Sequence, residues 1–331
     1  MVENQMNTVI WDSAKLSIAP MMDWTDRECR FFHRLMSRNA LLYTEMVTAP
    51  AVIHGDRPRL LDFDAAEHPL ALQLGGSDPD ELAEATRIAA DWGYDEINLN
   101  VGCPSDRVQS GCFGAVLMKD PDLVARCVQA MQAASPVEVT VKCRIGVDDQ
   151  EASEVLPAFV ARMADAGVAR MSIHARKAWL QGLSPKENRE VPPLDYPLVH
   201  AMKARFPQMH LSINGGIASL DQVRTHLDAM DGVMVGRAAY HEPWNIMGQA
   251  DALWGDTPPF SDPSEVAVAM RDRIGAHLSA GGKMHQITRH MLGLFHGRAG
   301  ARGWKRILSE ASSRGTLDDY DAALAAVTEA A

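Results

Sequence analysis

Short apolar runs alternate with longer segments of helical periodicity along the first 236 residues of the chain. Most of the short runs are apolar at successive positions, a pattern typical of parallel strands that are buried on both faces. Eight runs can be delimited, namely Leu16–Ala19, Leu41–Thr44, Leu70–Leu74, Glu96–Leu99, Val137–Lys142, Arg170–Ile173, His210–Ile213 and Gly232–Val235. Helical spacing lies between several of them, over Asp80–Trp92, Pro121–Met131, Gln150–Ala166 and Ser219–Met230.

Eight strand-then-helix units predict an α/β fold, a (β/α)8 TIM barrel. The alternative is a doubly wound parallel sheet, which does not normally need eight units, and no GxGxxG motif follows the first strand. The pattern stops near Trp254, and the three prolines of Gly255–Pro263 indicate a linker. From Ser264 to Ala331 the spacing predicts helix throughout. We therefore divide the chain into a barrel domain, residues 1–255, and a small all-helical C-terminal domain, residues 256–331.

The charge of the chain is unevenly distributed. The net charge of −11 argues against a protein that binds nucleic acids without specificity. Between Arg271 and Arg314, however, there are nine basic and two acidic residues, so this segment carries +7 and the remainder −18. Such asymmetry indicates a local surface for a polyanion. Arg302, Lys305 and Arg306 share one face of that segment if their turn is helical.

Composition excludes several classes of protein. With 47% apolar and 23% charged residues the chain is neither disordered nor of low complexity. No apolar run approaches 18 residues, and residues 1–13 lack the features of a signal peptide, so neither a membrane segment nor export is expected. The five cysteines form no CxxC pair, which argues against a disulfide framework or a metal site. We expect a monomeric protein of the cytoplasm.

In a barrel the chemistry occurs where strands end and the following loops begin. Asn98 and Asn100 alternate with apolar residues and so point to the same side of the fourth strand. Cys103 follows between a glycine and a proline, and a thiol at that position is a candidate acid or nucleophile. The other cysteines have the ordinary role of small buried apolar residues, apart from Cys112, whose role is ambiguous. Gln73, in the third strand, needs a ligand or a core partner for its amide.

Other strand ends carry cations and glycines. Lysine is almost never buried without a partner, so an inward-pointing Lys142 on the fifth strand needs an anion or an electron-rich ligand. His174 ends the sixth strand; alone it would more often be structural. The seventh strand ends in a pair of glycines and the eighth in a single glycine followed by an arginine, and such turns let a phosphate approach the backbone. The residues of this predicted phosphate site are Asn214, Gly215, Gly216, Gly236 and Arg237.

Two further segments give less specific indications of function, because each is consistent with two interpretations. The first strand ends in Pro20, Met21 and Met22, which are equally consistent with a tight turn and a core methionine. The loop from Ala175 to Pro197 is long for a structureless connection and is basic, so it is either a solvated lid or a clamp on an anionic substrate. Its charged residues include Arg176, Lys177, Lys186 and Arg189.

With these motifs in place, the chain resembles the bacterial tRNA-dihydrouridine synthases, and among them the A-type subgroup. The matching segments are residues 19–26 (APMMDWTD), 43–46 (YTEM), 71–76 (ALQLGG), 98–105 (NLNVGCPS), 184–190 (SPKENRE), 212–217 (SINGGI) and 287–295 (ITRHMLGLF). The similarity runs from about Ser17 to Glu310.

The resemblance implies a flavoenzyme with FMN at the open end of the barrel. Carried over by position, Pro20, Met21 and Met22 lie along the flavin, and Gln73, Lys142 and His174 contact its ring and ribityl chain. The glycine-rich residues of the seventh and eighth strands hold its phosphate. Cys103 falls on the proton donor. The positions that look like tRNA contacts are Asn100, Lys186, Arg189, Arg302 and Lys305.

The corresponding reaction reduces uridine in tRNA to 5,6-dihydrouridine, and the subgroup implies positions 20 and 20a of the D-loop. NADPH reduces FMN, hydride passes from flavin N5 to C6 of the uracil, and Cys103 gives a proton to C5. The target uridine must first leave its stack.

Three other readings remain open from the residues alone. An FMN barrel acting on a free pyrimidine, such as a dihydroorotate dehydrogenase-like enzyme, would not need the basic C-terminal helices. A Schiff-base aldolase using Lys142 would contain no flavin. An RNA-binding protein without catalysis would have no use for the strand-end set of Gln73, Cys103, Lys142 and His174.

Overall fold

The structure is a computed structural model that describes residues 10–105 and 113–330. In these residues eight parallel strands close into a barrel, each paired with the next and the last paired with the first. They are β1 (Leu16–Ile18), β2 (Leu41–Thr48), β3 (Leu70–Gly75), β4 (Glu96–Val101), β5 (Glu138–Arg144), β6 (Arg170–His174), β7 (His210–Asn214) and β8 (Gly232–Val235). The TIM-barrel prediction is confirmed.

Several strands extend beyond their predicted carboxyl ends. β4 continues through Asn100, and β5 continues through Lys142 to Arg144. The apolar pattern stops earlier because these polar side chains belong to the barrel interior and its open end, where hydrogen bonds rather than apolar contacts satisfy them. The end at which the eight strands finish is called the barrel mouth below.

Helices cover the outside of the barrel. They are α1 (Arg27–Met36), α2 (Ala49–His54), α3 (Arg57–Leu61), α4 (Pro79–Trp92), α5 (Pro121–Ala134), α6 (Ala152–Asp165), α7 (Tyr196–Arg205), α8 (Leu220–Leu227), α9 (Arg237–His241) and α10 (Pro243–Met247). Asp78 and Asp120 are the N-caps of α4 and α5, and their side chains accept backbone hydrogen bonds in the first turn, which fixes where these helices begin.

The C-terminal segment consists of α11 (Pro263–Ser279), α12 (His285–Thr288), α13 (Ala301–Ala311) and α14 (Leu317–Thr328). The expectation of helix throughout was wrong for residues 289–300, which form successive turns. Gly297 and Gly300 have φ values of 79° and 73° there, which end helical geometry. Ile287, Met291, Leu294 and Phe295 are nevertheless all buried.

The apolar core runs without interruption from the barrel into these C-terminal helices. Arg273 of α11 binds Glu28 (2.6 Å) and Asp64 (3.0 Å), and its guanidinium lies 3.8 Å from the ring centre of Phe31. Two further charged residues, Arg289 and His290, contact Asp26, the N-cap of α1. Although burial raises the pKa of Asp26, hydrogen bonds and charge from His290 and Arg289 outweigh it and lower that pKa to about 2.

A charged cluster closes the opposite end of the barrel. Arg170, at the start of β6, contacts Glu96 and lies 3.2 Å from Glu138, and both Arg170 and Glu96 are at most 2% exposed. Trp11 donates to Glu138 (2.8 Å) and Tyr43 to Glu96 (2.6 Å). Because every member has a charged or hydrogen-bonding partner, the cluster is tolerated in the interior.

None of the helices in the described part of the chain is long and apolar enough to cross a membrane. The described residues also bring no three potential metal ligands together.

Candidate active site at the barrel mouth

Cys103 lies on the loop after β4, and Asn100 at the end of that strand fixes the loop by hydrogen bonds. The side-chain oxygen of Asn100 accepts hydrogen bonds from the backbone N–H groups of Gly102 (3.1 Å) and Cys103 (3.0 Å). The Cys103 carbonyl accepts from Ala115 (2.9 Å), and its sulfur lies 3.4 Å from the Ser105 hydroxyl. The half-exposed thiol is therefore fixed at the mouth, whereas Cys112, the ambiguous neighbour, lies outside the described residues.

Three of the predicted residues are joined below this loop. Gln73 accepts from the Asn100 amide (2.7 Å) and donates to Asn98 (2.8 Å). The prediction that Asn98 and Asn100 share a side of β4 is confirmed. Parallel pairing places Lys142 beside Asn100, so four strand-end side chains come from adjacent strands.

Lys142 has no ion-pair or hydrogen-bond partner among the described residues. Burial, together with the nearby charge of Arg144, lowers its pKa to about 8. No described residue compensates its charge, so the expectation that Lys142 needs a ligand stays a prediction.

His174 is neutral at physiological pH, since burial and the charges of Arg144 and Lys142 hold its pKa well below the usual value. Its Nδ1 accepts from the Arg176 backbone N–H (3.3 Å), so the proton of the neutral ring is on Nε2. A Cβ on Gly215 would lie 3.1 Å from this ring, which places His174 against the glycine turn after β7.

The glycine turn after β7 fits a phosphate. Gly215 and Gly216 have φ values of 111° and 73°, and a Cβ on Gly216 would come within 2.6 Å of Leu194. Tyr196 fixes the turn by donating to the Gly215 carbonyl (2.6 Å). Nearby, Arg176 has a buried Nε without a partner in the described chain, a donor still available to an anion.

The other three residues of the predicted phosphate site, Asn214, Gly236 and Arg237, lie against or bind other parts of the protein. Asn214 is buried and donates its amide to the Met234 carbonyl (2.7 Å), so its nitrogen already links β7 to β8. Gly236 lies close to the first strand's loop, since a Cβ there would be 3.7 Å from the Met21 sulfur. Arg237 lies 2.5 Å from Glu190, so a phosphate would share this arginine with a carboxylate.

The loop after β1 forms a turn. Thr25 accepts from the Met21 N–H (3.0 Å) and Asp23 donates from its backbone to Glu45, while Asp23 itself has a φ of 65°. Pro20 and Met21 are half-buried, and Met22 is 55% exposed. Of the two readings of this segment, the core methionine therefore does not apply to Met22.

The loop after β6, residues 175–195, is held in place by its own hydrogen bonds. Asn188 is fully buried; its amide donates to the carbonyls of Trp179 (2.9 Å) and Leu183 (3.1 Å), and its oxygen accepts from the Trp179 N–H (2.7 Å). This arrangement leaves Lys186 and Arg189 on the outside of the loop.

The sequence analysis did not identify Arg144, which connects the loop after β4 to the loop after β6 by hydrogen bonds. It donates to the carbonyls of Gly102 (2.9 Å), Lys177 (3.0 Å) and Asn188 (3.0 Å). The sequence pattern could have identified it, since Arg144 follows Lys142 by two positions and so points to the same side of β5. The charges of Arg144 and Arg189 both interact with Cys103.

The C-terminal basic segment is less charged than its sum of +7 indicates. Five of its nine cations form ion pairs, namely Arg271, Arg273, Arg289, Arg298 and Arg306. Arg302 and Lys305 are exposed on α13, share a face as predicted, and have no ion pair within the described ranges. Burial, followed by the charges of Arg237 and Lys305, lowers the pKa of His241, which places Lys305 on the side of Arg237.

Comparison with known proteins agrees with this geometry. The profile of the family described as "Dihydrouridine synthase (Dus)" matches residues 17–330. The tRNA-dihydrouridine(20/20a) synthase of Shewanella oneidensis is 55% identical over 310 residues, 94% of this chain and 92% of that protein. The proteins of the same name from Xanthomonas campestris and Escherichia coli K12 are also 55% identical, over 92% of this chain and 90% and 89% of their own length.

Among solved structures, an old yellow enzyme homologue from Zymomonas mobilis is similar in fold. It superposes with a TM-score of 0.53 on 76% of this chain and 91% of its own, at 12% sequence identity. At that identity the likeness supports the barrel architecture alone.

Proposed function

Because this chain belongs to the dihydrouridine synthase family, we propose that it reduces uridine to 5,6-dihydrouridine at positions 20 and 20a of the tRNA D-loop, with FMN as cofactor and NADPH as reductant. The observation that carries the proposal is the convergence at the mouth of Cys103, Gln73, Lys142 and His174 beside the Gly215–Gly216 turn. When bound, FMN supplies the hydride that NADPH provides.

The residues of the chain have separate tasks in this reaction. The Gly215–Gly216 turn and the free Nε of Arg176 receive the cofactor's phosphate. Lys142 and the Nε2–H of His174 are donors to the cofactor. Cys103, fixed by Asn100, gives its proton to C5 of the uracil.

The direct test uses the purified protein and tRNA from cells that lack its gene. We expect a yellow protein that, with NADPH, converts uridines 20 and 20a of that tRNA to dihydrouridine. A colourless protein that does not take up FMN would exclude the proposal. Reduction of free uridine or orotate with equal efficiency would favour a pyrimidine-reducing barrel instead.

Neutralising the free cations of α13 should weaken tRNA binding. In the Arg302→Gln/Lys305→Gln variant, the slope of log K against log salt concentration should fall by about 2, since each phosphate contact contributes about 1. The matched control is Arg271→Gln/Arg298→Gln, whose side chains are paired with Asp321 (2.7 Å) and Asp262 (2.5 Å). Equal slopes for the two double variants would show that this face of α13 does not meet the RNA.

Cofactor affinity should depend on the protonation of Lys142. Its charge is present below pH 8 and is lost as the pH rises through that value. If FMN binding raises the pKa by one unit, the dissociation constant rises about fivefold between pH 7 and pH 9. Fluorescence titration of FMN would measure it. Lys142→Arg, which stays charged, should bind with no such rise; the same pH dependence in both proteins would contradict the assignment to Lys142.

A further inference from the structure

A chain of hydrogen-bonded side chains crosses the barrel interior from the closed end to the mouth. Thr140 donates its hydroxyl to Glu96, and the Asn98 amide donates to the Thr140 oxygen (2.8 Å). Gln73 donates to the Asn98 oxygen (2.8 Å), and Asn100 donates to the Gln73 oxygen (2.7 Å). These five residues, Glu96, Thr140, Asn98, Gln73 and Asn100, are called the polar column, and each is at most 8% exposed.

The two ends of the polar column determine the direction of every hydrogen bond in it. At the lower end, Glu96 paired with Arg170 is a carboxylate and only accepts. At the upper end, the Gly102 and Cys103 N–H groups only donate, and both reach the Asn100 oxygen. If the side-chain amide of Asn98, Gln73 or Asn100 were turned by 180°, two donors or two acceptors would face each other at one of the hydrogen bonds of the column. Only one orientation of each amide therefore satisfies every hydrogen bond.

This direction sets what the mouth offers a ligand. The Asn100 oxygen is used by two backbone groups, and one of its two N–H bonds is used by Gln73. Gln73 likewise uses one N–H bond on Asn98. Each amide therefore keeps one N–H without a partner in the described chain, which suits the carbonyl oxygens of a flavin or a uracil.

We infer that Glu96, Thr140 and Asn98 are positioning residues, which act through Gln73 and Asn100 to hold the Cys103 loop and to aim donors into the mouth. The inference rests on the proposed function for the role of Cys103, but the hold on the loop is a property of the protein without substrate. Thr140 is the link to test, because valine keeps its shape and removes only the hydroxyl.

The experiment compares Thr140→Val with Thr140→Ser in the flavin-loaded protein without tRNA. Alkylation of Cys103 by iodoacetamide is followed by mass spectrometry, and trypsin cleavage after Arg107 separates its peptide from that of Cys112. We expect Thr140→Val to raise the alkylation rate about threefold or more, because the loop loses a fixed orientation of Asn100. Thr140→Ser retains the hydroxyl and should behave as wild type.

Ser212→Ala is the matched control for loss of a buried hydroxyl. Ser212 lies on β7, is 1% exposed, and its oxygen has no hydrogen-bond partner among the described residues. This variant should be alkylated at the wild-type rate. In rapid-mixing experiments, the reduced Thr140→Val variant should also be oxidised by tRNA about 10-fold more slowly than the wild type, since misplacement of the acid by a fraction of an ångström has effects of this size.

A wild-type alkylation rate in Thr140→Val would overturn the inference. If that variant does not fold, Asn98→Leu breaks the next link and is judged by the same rate. Failure of the wild-type protein to reduce tRNA would instead contradict the proposed function, and the alkylation rates would still decide whether the polar column holds the loop.

Discussion

Replacement of Cys103 by alanine is expected to slow the oxidation of the reduced enzyme by tRNA about 10²–10⁴-fold, the range typical of a lost general acid. The thiol is the one titratable side chain on the loop that Asn100 fixes at the mouth, within the described residues. Reduction of the bound flavin by NADPH does not need a proton at the uracil and should proceed at the wild-type rate.

Rapid mixing separates the two half-reactions, each followed by flavin absorbance. Cys127→Ala is the matched control, because Cys127 is buried on α5 and its sulfur contacts the Ser77 carbonyl (3.5 Å). Both rates should be unchanged in that variant. If Cys103→Ala lost the two half-reactions equally, the cysteine would support cofactor binding rather than proton transfer.

Arg170→Met is expected to lower the free energy of unfolding by about 3–5 kcal/mol, the cost of leaving buried carboxylates without their counter-charge. Arg170 is the cation that Glu96 and Glu138 share at the closed end of the barrel. The loss should be smaller at pH 5 than at pH 7. Burial raises the pKa of Glu138 and Arg170 opposes that rise, so without the arginine this pKa increases further. The folded variant then binds more protons than the unfolded chain and gains stability as the pH falls.

Urea unfolding at the two pH values measures this effect. Arg87→Met removes an exposed arginine that pairs with Glu84 (2.6 Å) on α4, and its unfolding midpoint should not change. The double variant Arg170→Met/Glu96→Gln removes one of the two carboxylates and should recover part of the loss. A destabilisation by Arg170→Met that was the same at both pH values would mean that carboxylate repulsion is not its cause.

The sequence predicted those parts of the site that depend on one strand at a time. The same-side placement of Asn98 and Asn100 follows from strand geometry, and the position of Cys103 follows from the end of β4. The partners of these residues could not be predicted, because Thr140 is 42 positions from Asn98 and meets it only through the register of β4 with β5.

The role of each basic residue in the C-terminal segment could likewise not be predicted from the sequence alone. A sum over residues 271–314 treats Arg273 and Arg302 alike, but Arg273 lies against Glu28 and Asp64 while Arg302 points away from the protein. The acidic partners of Arg273 come from elements more than 200 positions away in the chain. Only the fold distinguishes a cation that stabilises a helix contact from one that is available to a polyanion.

The contacts of α11 with α1 have a consequence for substrate selection. Arg273 is held by two carboxylates and an aromatic ring, and Asp26 binds both Arg289 and His290, so the C-terminal helices are attached to the barrel by ion pairs as well as apolar packing. These contacts connect the segment that carries Arg302 and Lys305 to the barrel that carries Cys103. Under the proposed function, an RNA bound on α13 would present for reduction the nucleoside that its own tertiary shape places at the barrel mouth.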